Sequence, residues 1–200
     1  MAVNNFDRIA RYYDRLASLV FGKAILESQV AFFHLLRGES KVLIVGGGSG
    51  KLLTFLPSNL EVDYLEKSEN MIRLAQLRNT KNVISFLNAD FLEAHIGEKY
   101  DYVICPFFLD CFNAENLSMA ILKAKDALKA GGYLIVTDFE KATTSISLSK
   151  LMHVFFRAFA KLESKSLKNI DGEVKSRGFS AVEGKFFYRN MIFSRVYRNL

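Results

Sequence analysis

Four glycines and a serine follow the apolar run Val42–Val45 in VLIVGGGSG, at Gly46, Gly47, Gly48, Ser49 and Gly50. A buried strand that runs straight into such a loop lets backbone approach a ligand where side chains would collide. Twenty residues after Gly46, the run VDYLE ends in Glu66, an acid spaced to accept hydrogen bonds from both hydroxyls of a ribose. Charge-assisted bonds of that kind contribute roughly 1.5 to 3 kcal/mol each. NADF places Asp90 after a third apolar run, where a carboxylate can accept from an adenine amine while Phe91 offers backbone donors and an aromatic wall. A nucleotide-like ligand is expected at this convergence. The ordinary alternatives are a glycine turn serving tight strand-to-helix packing and solvated acids at strand ends.

Spacing separates three glycine motifs. A Walker loop needs glycine five residues before Gly50-Lys51 and Ser or Thr after it, but position 45 is Val and position 52 is Leu. The dinucleotide fingerprint GxGxxG fails from Gly46, because position 51 is Lys, and from Gly48, because position 53 is Leu. What remains is GxGxG at Gly46, Gly48 and Gly50, the pattern of proteins that bind S-adenosylmethionine, which has no pyrophosphate to cradle.

The elements that must position these residues alternate in type. VLIV, VDYL, VISFL, YVIC and YLIV read as strands at 42–45, 62–65, 83–87, 102–105 and 133–136. Helical patterns lie between them, over Glu69 to Arg78 and Glu115 to Leu128, and KLLTFL follows the glycine loop as a further helix. Alternation of this kind builds a parallel sheet with crossover helices, and Gly131-Gly132 marks a helix stop and turn. Residues 5–36 carry two amphipathic helices divided at Gly22, and helices are expected near Leu148 to Lys161 and Leu167 to Ser176, the latter capped by Gly178. FSAVEGKFFYR and MIFSRVYR, parted by a turn at Asn190, read as an antiparallel hairpin closing the sheet.

The 200 residues are half apolar, with 18 Phe, 8 Tyr and 2 Pro, which excludes disordered and repeat-array readings. One domain over 1–200 is expected, with a helical lead-in (1–40), a ligand-binding core (41–140) and a C-terminal part (141–200). The net charge of +6 is unevenly placed: residues 1–140 hold 15 basic and 17 acidic residues, and 141–200 hold 12 and 4. Uncharged stretches reach nine residues, well short of the roughly 20 that a membrane span requires, and the N-terminus has no apolar signal core. A cytoplasmic protein is expected. Cys105 and Cys111 are the only cysteines, and they lack the spacing of a zinc site or a disulfide framework.

Motif by motif, the chain resembles the class I S-adenosylmethionine-dependent methyltransferases, and among them those of the ubiquinone and menaquinone biosynthesis type. FDRIARYYDRL is similar to their lead-in helix, VLIVGGGSG to the first motif and YLEKSENMIRLA to the second, while NADF, YDYVICPFFLDCF and LKAGGYLIVTDF resemble the next three in order. The resemblance implies an α/β, Rossmann-like three-layer sandwich around a mostly parallel seven-stranded sheet of order 3-2-1-4-5-7-6, strand 7 antiparallel. It implies S-adenosylmethionine as methyl donor and S-adenosylhomocysteine as product. Gly46 to Gly50 would then contact the methionine and ribose portions, Glu66 the ribose, Lys67 and Met71 the adenine face, and Asp90 with Phe91 the adenine edge. Cys105 and Pro106 would line the methyl-donor cavity, and Tyr13 would help close over the cofactor. One departure is Ile44, where the family commonly has an acid that helps hold the cofactor's ammonium.

The fold does not name the acceptor. Asp110 is the first candidate for a general base, set in the apolar FFLDCF where its pKa would rise; its alternative is capping a helix ahead of Asn113. Tyr12, Tyr13 and His153 are candidate pocket residues, with ordinary helix packing as their alternative, and Phe108 is a candidate acceptor wall. Cys105-Pro106-Phe107-Phe108 lacks the acceptor side chain of base-amine methyltransferases, so no nucleic-acid substrate is expected. The Phe107, Phe108, Phe112 loop and the Phe155, Phe156, Phe159 helix point to an apolar, quinone-like or lipid-like small-molecule acceptor. The basic C-terminal part would suit an anionic head group or an acidic membrane surface, in a monomer or homodimer. Two other readings are a noncatalytic cofactor-binding or partner module, motivated by Ile44, and aminopropyl transfer, since GGGSG also resembles the spermidine-synthase loop with Ser49 in place of its acid.

Overall fold

The computed structural model describes residues 18–97, 99–140 and 169–200. Seven strands form one sheet: β1 (Lys41–Val45), β2 (Glu61–Glu66), β3 (Val83–Asn88), β4 (Tyr100–Pro106), β5 (Leu128–Phe139), β6 (Phe179–Phe187) and β7 (Ile192–Asn199). Their order is 3-2-1-4-5-7-6. The first five pair in parallel, and β7 runs antiparallel between β5 and β6. This is the Rossmann-like α/β sheet that the motif order implies. The chain winds outward from β1 to β3 and returns to place β4 beside β1, so the crevice beyond the carboxyl ends of β1 and β4 lies at a reversal of strand order, where open α/β sheets bind ligands.

Both faces of the central strands β1, β4 and β5 are covered, which is why they read as continuous apolar runs. Val42 and Ile44 point to one face, into a cluster with Phe32, Phe33, Leu36, Leu52, Leu53 and Tyr64. Leu43 and Val45 point to the other, against Leu117, Ala120, Ile121 and Ala124. Those four lie on α3 (Ala114–Ala127) at helical spacing, and Asn113 starts that helix by accepting the Asn116 N–H at 2.8 Å. Helix α2 (Glu69–Gln76) is capped in the same way by Ser68, which accepts from Met71 N, and it buries Met71, Ile72 and Ala75. Helix α1 (Ala24–Val30) docks on the sheet through Ser28, whose carbonyl accepts from the buried Thr137 hydroxyl. Helix α4 (Ile170–Ser176) ends where Gly178, at φ +81°, donates its N–H to Lys175 O.

Three expected elements differ in detail. KLLTFL forms a 3-10 helix over Lys51–Phe55 rather than an α-helix. Gly50 enters it at φ 71° and Leu56, held extended at ψ 137° ahead of Pro57, ends it, so too few residues remain for an α-helical ladder. Gly131-Gly132 is not a free turn: β5 begins directly at the end of α3, and the glycines absorb an irregular register between the Tyr100–Leu128 and Tyr102–Tyr133 pairs. The hairpin turn takes in three left-handed residues, Tyr188, Arg189 and Asn190, rather than Asn190 alone. Tyr188 is tied down by donating its hydroxyl to Val20 O at 2.9 Å. The helix expected near Leu148 to Lys161 lies outside the described residues.

Candidate functional site

The glycine loop is fixed from beneath by β2. Gly46 donates to Leu65 O at 2.8 Å. The buried Tyr64 hydroxyl donates to Gly48 O at 2.9 Å, and its ring fills the place that a side chain at position 47 would take. Glu66 holds the same loop with its carboxylate, Oε2 accepting from Gly48 N at 3.1 Å and Oε1 from Ser68 N at 2.9 Å. Arg78, just beyond α2, donates Nε to Ser49 O at 2.9 Å. Gly46 and Gly48 are left-handed, at φ +68° and +62°. A Cβ at Gly46 would come 2.5 Å from the Phe108 ring, whereas one at Gly48 would meet nothing within 4 Å. The loop is therefore packed on one side and open beside Gly48, next to the Glu66 carboxylate, a cradle that suits a ribose and its neighbouring chain.

On the next strand end, Lys67 Nζ and Asp90 Oδ2 form an ion pair at 2.7 Å, and Asp90 Oδ1 accepts from Leu92 N. Burial pushes the Asp90 carboxyl up, but the bonds from Lys67 and Leu92 and the nearby Lys123 charge outweigh it and hold the group below its ordinary value. Lys123 reaches across from α3 to donate to Leu92 O at 2.8 Å and Ala94 O at 2.5 Å, with its ammonium 5.6 Å from the Phe91 ring centroid. Phe91 is buried, edge-on to Phe108, and Phe108 is edge-on to Phe112. Met71 is buried at the start of α2.

Beyond β4 the chain folds back in a tight turn. Cys105 and Pro106 are buried, and Phe107 and Phe108, next along the chain, are half-buried. Burial and the Asp138 carboxylate push the Cys105 thiol far up. Asp110 sits in a short 3-10 turn, Leu109–Cys111, and is 9% exposed. It does not cap α3, which Asn113 does. Its Oδ1 lies 3.5 Å from the Cys111 sulfur. Asp138, at the end of β5, is wholly buried, and burial together with the Asp110 carboxylate pushes it well above the usual carboxylate range.

The structure thus brings Gly46 to Gly50, Glu66, Lys67, Asp90, Phe91, Phe108 and Asp110 to one edge of the sheet, while Tyr12, Tyr13 and His153 lie outside the described residues. Ile44 is fully buried in the apolar cluster with Phe32 and Tyr64, an environment that would penalise an unpaired acid. Sequence reasoning passed over Tyr64, Arg78, Lys123 and Asp138. One of them carries a signal, because Asp138 places a charged side chain inside the apolar run at the end of β5, where Leu134 to Phe139 are all buried.

Residues 42–132 match a family model described as a methyltransferase domain. A malonyl-[acyl-carrier protein] O-methyltransferase of Acetivibrio thermocellus is 26% identical over 144 residues, 70% of this chain and 47% of its own length, so the chain spans about half the length of that curated relative. Among solved structures, the methyltransferase bound to the Haloferax volcanii Trm112 activator aligns with TM-score 0.74 at 14% identity, covering all of this chain and 99% of that one. The N-methyltransferase NodS of Bradyrhizobium japonicum, in complex with S-adenosylhomocysteine, aligns with TM-score 0.65 at 14% identity over 99% of this chain and 89% of its own. An S-adenosylmethionine-dependent methyltransferase of Thermotoga maritima aligns with TM-score 0.68 at 18% identity over 98% of both. Residues 42–132, which include the glycine loop at the reversal of strand order, thus match a methyltransferase domain, and the sheet built around them has the fold of solved S-adenosylmethionine-dependent methyltransferases.

Proposed function

We propose that residues 1–200 act as one domain that transfers a methyl group from S-adenosylmethionine to a small apolar or anionic acceptor, of quinone-like or lipid-like character. The observation that carries the reading is the Glu66 carboxylate, tied to Gly48 N at the open side of the glycine loop. From there it can accept from ribose hydroxyls while holding the loop that receives the methionine portion. Asp90 and Phe91 are proposed at the adenine edge, with Lys67 and Met71 at its face. Aromatic rings at 107, 108 and 112 make an apolar wall for the acceptor. The name of the Acetivibrio relative is compatible with an anionic oxygen acceptor.

The cofactor, when bound, supplies a sulfonium-activated methyl group, and transfer is an in-line displacement. The protein's part is alignment in a water-poor site, which can supply roughly 7 to 11 kcal/mol of the barrier. Tyr64, Glu66 and Arg78 fix the loop beforehand, and the phenylalanine wall excludes water. Asp110 is proposed as the group that takes a proton from a protic acceptor. Cytoplasmic placement belongs to the same proposal; no helix among the described residues is long and apolar enough to cross a membrane.

Calorimetry with S-adenosylhomocysteine tests the reading. The wild type is expected to bind, and Glu66→Ala to bind at least about tenfold more weakly, as follows from losing one or more charge-assisted bonds. No binding at millimolar ligand would sink it. Tight binding without turnover across a broad acceptor panel would favour a noncatalytic module instead.

A further inference from the structure

The turn between β4 and α3 carries Phe108 and Asp110, yet it has little secondary structure of its own. Phe107 adopts a left-handed backbone, φ 53°, which a bulky residue holds only when its surroundings over-determine it. The surroundings are the end of β5. Phe107 N donates to Thr137 O at 2.6 Å. One residue on, Asp138 Oδ2 accepts from both Leu109 N and Asp110 N at 3.1 Å, while Oδ1 accepts from Phe139 N at 2.9 Å. Three donors converge on one carboxylate that has no exposed surface. Both carboxyl oxygens of Asp138 keep acceptor lone pairs for these N–H donors whether or not the group carries a proton, and the Asp110 side chain also hydrogen-bonds to it. The turn so held presses Phe108 onto Gly46 and against Phe91.

We propose that Asp138 is the positioning residue of the methyl-transfer site: its carboxylate sets the turn 107–112, and through it the seat of Phe108 on the glycine loop and the placement of Asp110. Asp138 is not a catalytic residue, since it lies under the turn and acts through it. The role rests on the reading of this edge as the cofactor and acceptor site, but the grip on the turn can be measured apart from it. A carboxylate that merely filled space among apolar neighbours would be replaced by leucine without loss. One that orders the turn would not.

The experiment compares wild type, Asp138→Leu and Asp138→Asn by amide hydrogen exchange over residues 106–113, with S-adenosylhomocysteine calorimetry on the same samples. Asp138→Leu leaves Leu109 and Asp110 N–H without an acceptor, so exchange there is expected to rise at least about tenfold, with binding weaker by about fivefold or more. Asp138→Asn keeps one oxygen for those donors but turns an NH2 group toward Phe139 N–H, so an intermediate rise of about threefold is expected. Wild-type exchange over 106–113 in the leucine variant overturns the proposal. Should that variant not fold, the asparagine variant decides alone, and wild-type exchange together with wild-type affinity overturns it. Failure of the wild type to bind S-adenosylhomocysteine would strike the methyltransferase reading instead, and the exchange measurement would still judge the grip of Asp138 on the turn.

Discussion

The Lys67–Asp90 pair shows how a single contact sets the chemistry of a strand end. Asp90 gains a partner in the fold, so its carboxyl lies below its ordinary value of 3.8. A group depressed in this way contributes stability above its unfolded pKa and loses it as pH falls through the folded one. The loop after β3 is therefore expected to hold until pH drops below about 3.8, the ordinary carboxyl value. Removing the ammonium in Lys67→Met leaves Leu92 N–H, Lys123 and burial, and burial alone would raise the group. The Asp90 titration, followed by carboxyl NMR, should then move to higher pH, and the loop should loosen earlier on acidification. An unshifted Asp90 midpoint in Lys67→Met would mean that the ion pair does not hold the carboxyl down. Both partners are partly solvated, with side chains 51% and 24% exposed, so the effect on global stability should be small and should shrink with salt.

At the scale of elements, the glycine loop works because two packed neighbours leave it no freedom. Gly46→Ala would set a methyl 2.5 Å from the Phe108 ring while asking for φ +68°. The left-handed conformation costs about 1 to 2 kcal/mol and overpacking a further 1 to 3 kcal/mol. Denaturant unfolding should record a loss of about 2 to 5 kcal/mol, with S-adenosylhomocysteine affinity falling as well. Asn113→Ala removes the cap of α3, should cost about 1 kcal/mol, and should leave that affinity alone, which separates damage to the loop from damage to the fold. The strands and the acids at their ends were legible because buried parallel strands advertise themselves as apolar runs and the acids fall directly after them, whereas the strand order was implied only by the resemblance of the motifs. The supports of the site were not. Tyr64, Arg78 and Asp138 act on residues 16, 29 and 28 positions away along the chain, and local periodicity carries no record of such partners. The helix after the loop was legible from the composition of KLLTFL, while its short 3-10 form is fixed by Gly50 on one side and Pro57 on the other.

For the whole molecule, the charge is best considered by segment. Residues 169–200 hold six basic and three acidic side chains, and much of that charge is internally paired. Arg195 and Lys175 reach Asp171 at 3.0 and 2.8 Å, Arg177 reaches Glu173 at 3.7 Å, and Lys185 reaches Glu183 at 3.9 Å. Residues 141–168 hold six basic side chains and one acid in their sequence, so most of the C-terminal excess originates there. The edge at residues 46–91 that is proposed to hold the cofactor lies in the segment 1–140, which carries a net −2. If the excess serves to draw in an anionic acceptor, it should act through solvent and fade beyond about 10 Å at 0.1 M salt. Replacing Lys150, Arg157, Lys161 and Lys165 with glutamine should then raise KM for an anionic acceptor severalfold at low salt. KM for a neutral acceptor and the calorimetric affinity for S-adenosylhomocysteine should stay as they are. High salt should erase the difference between the variant and the wild type. A rise in KM that persists at high salt, or that extends to neutral acceptors, would assign these side chains to packing rather than to attraction.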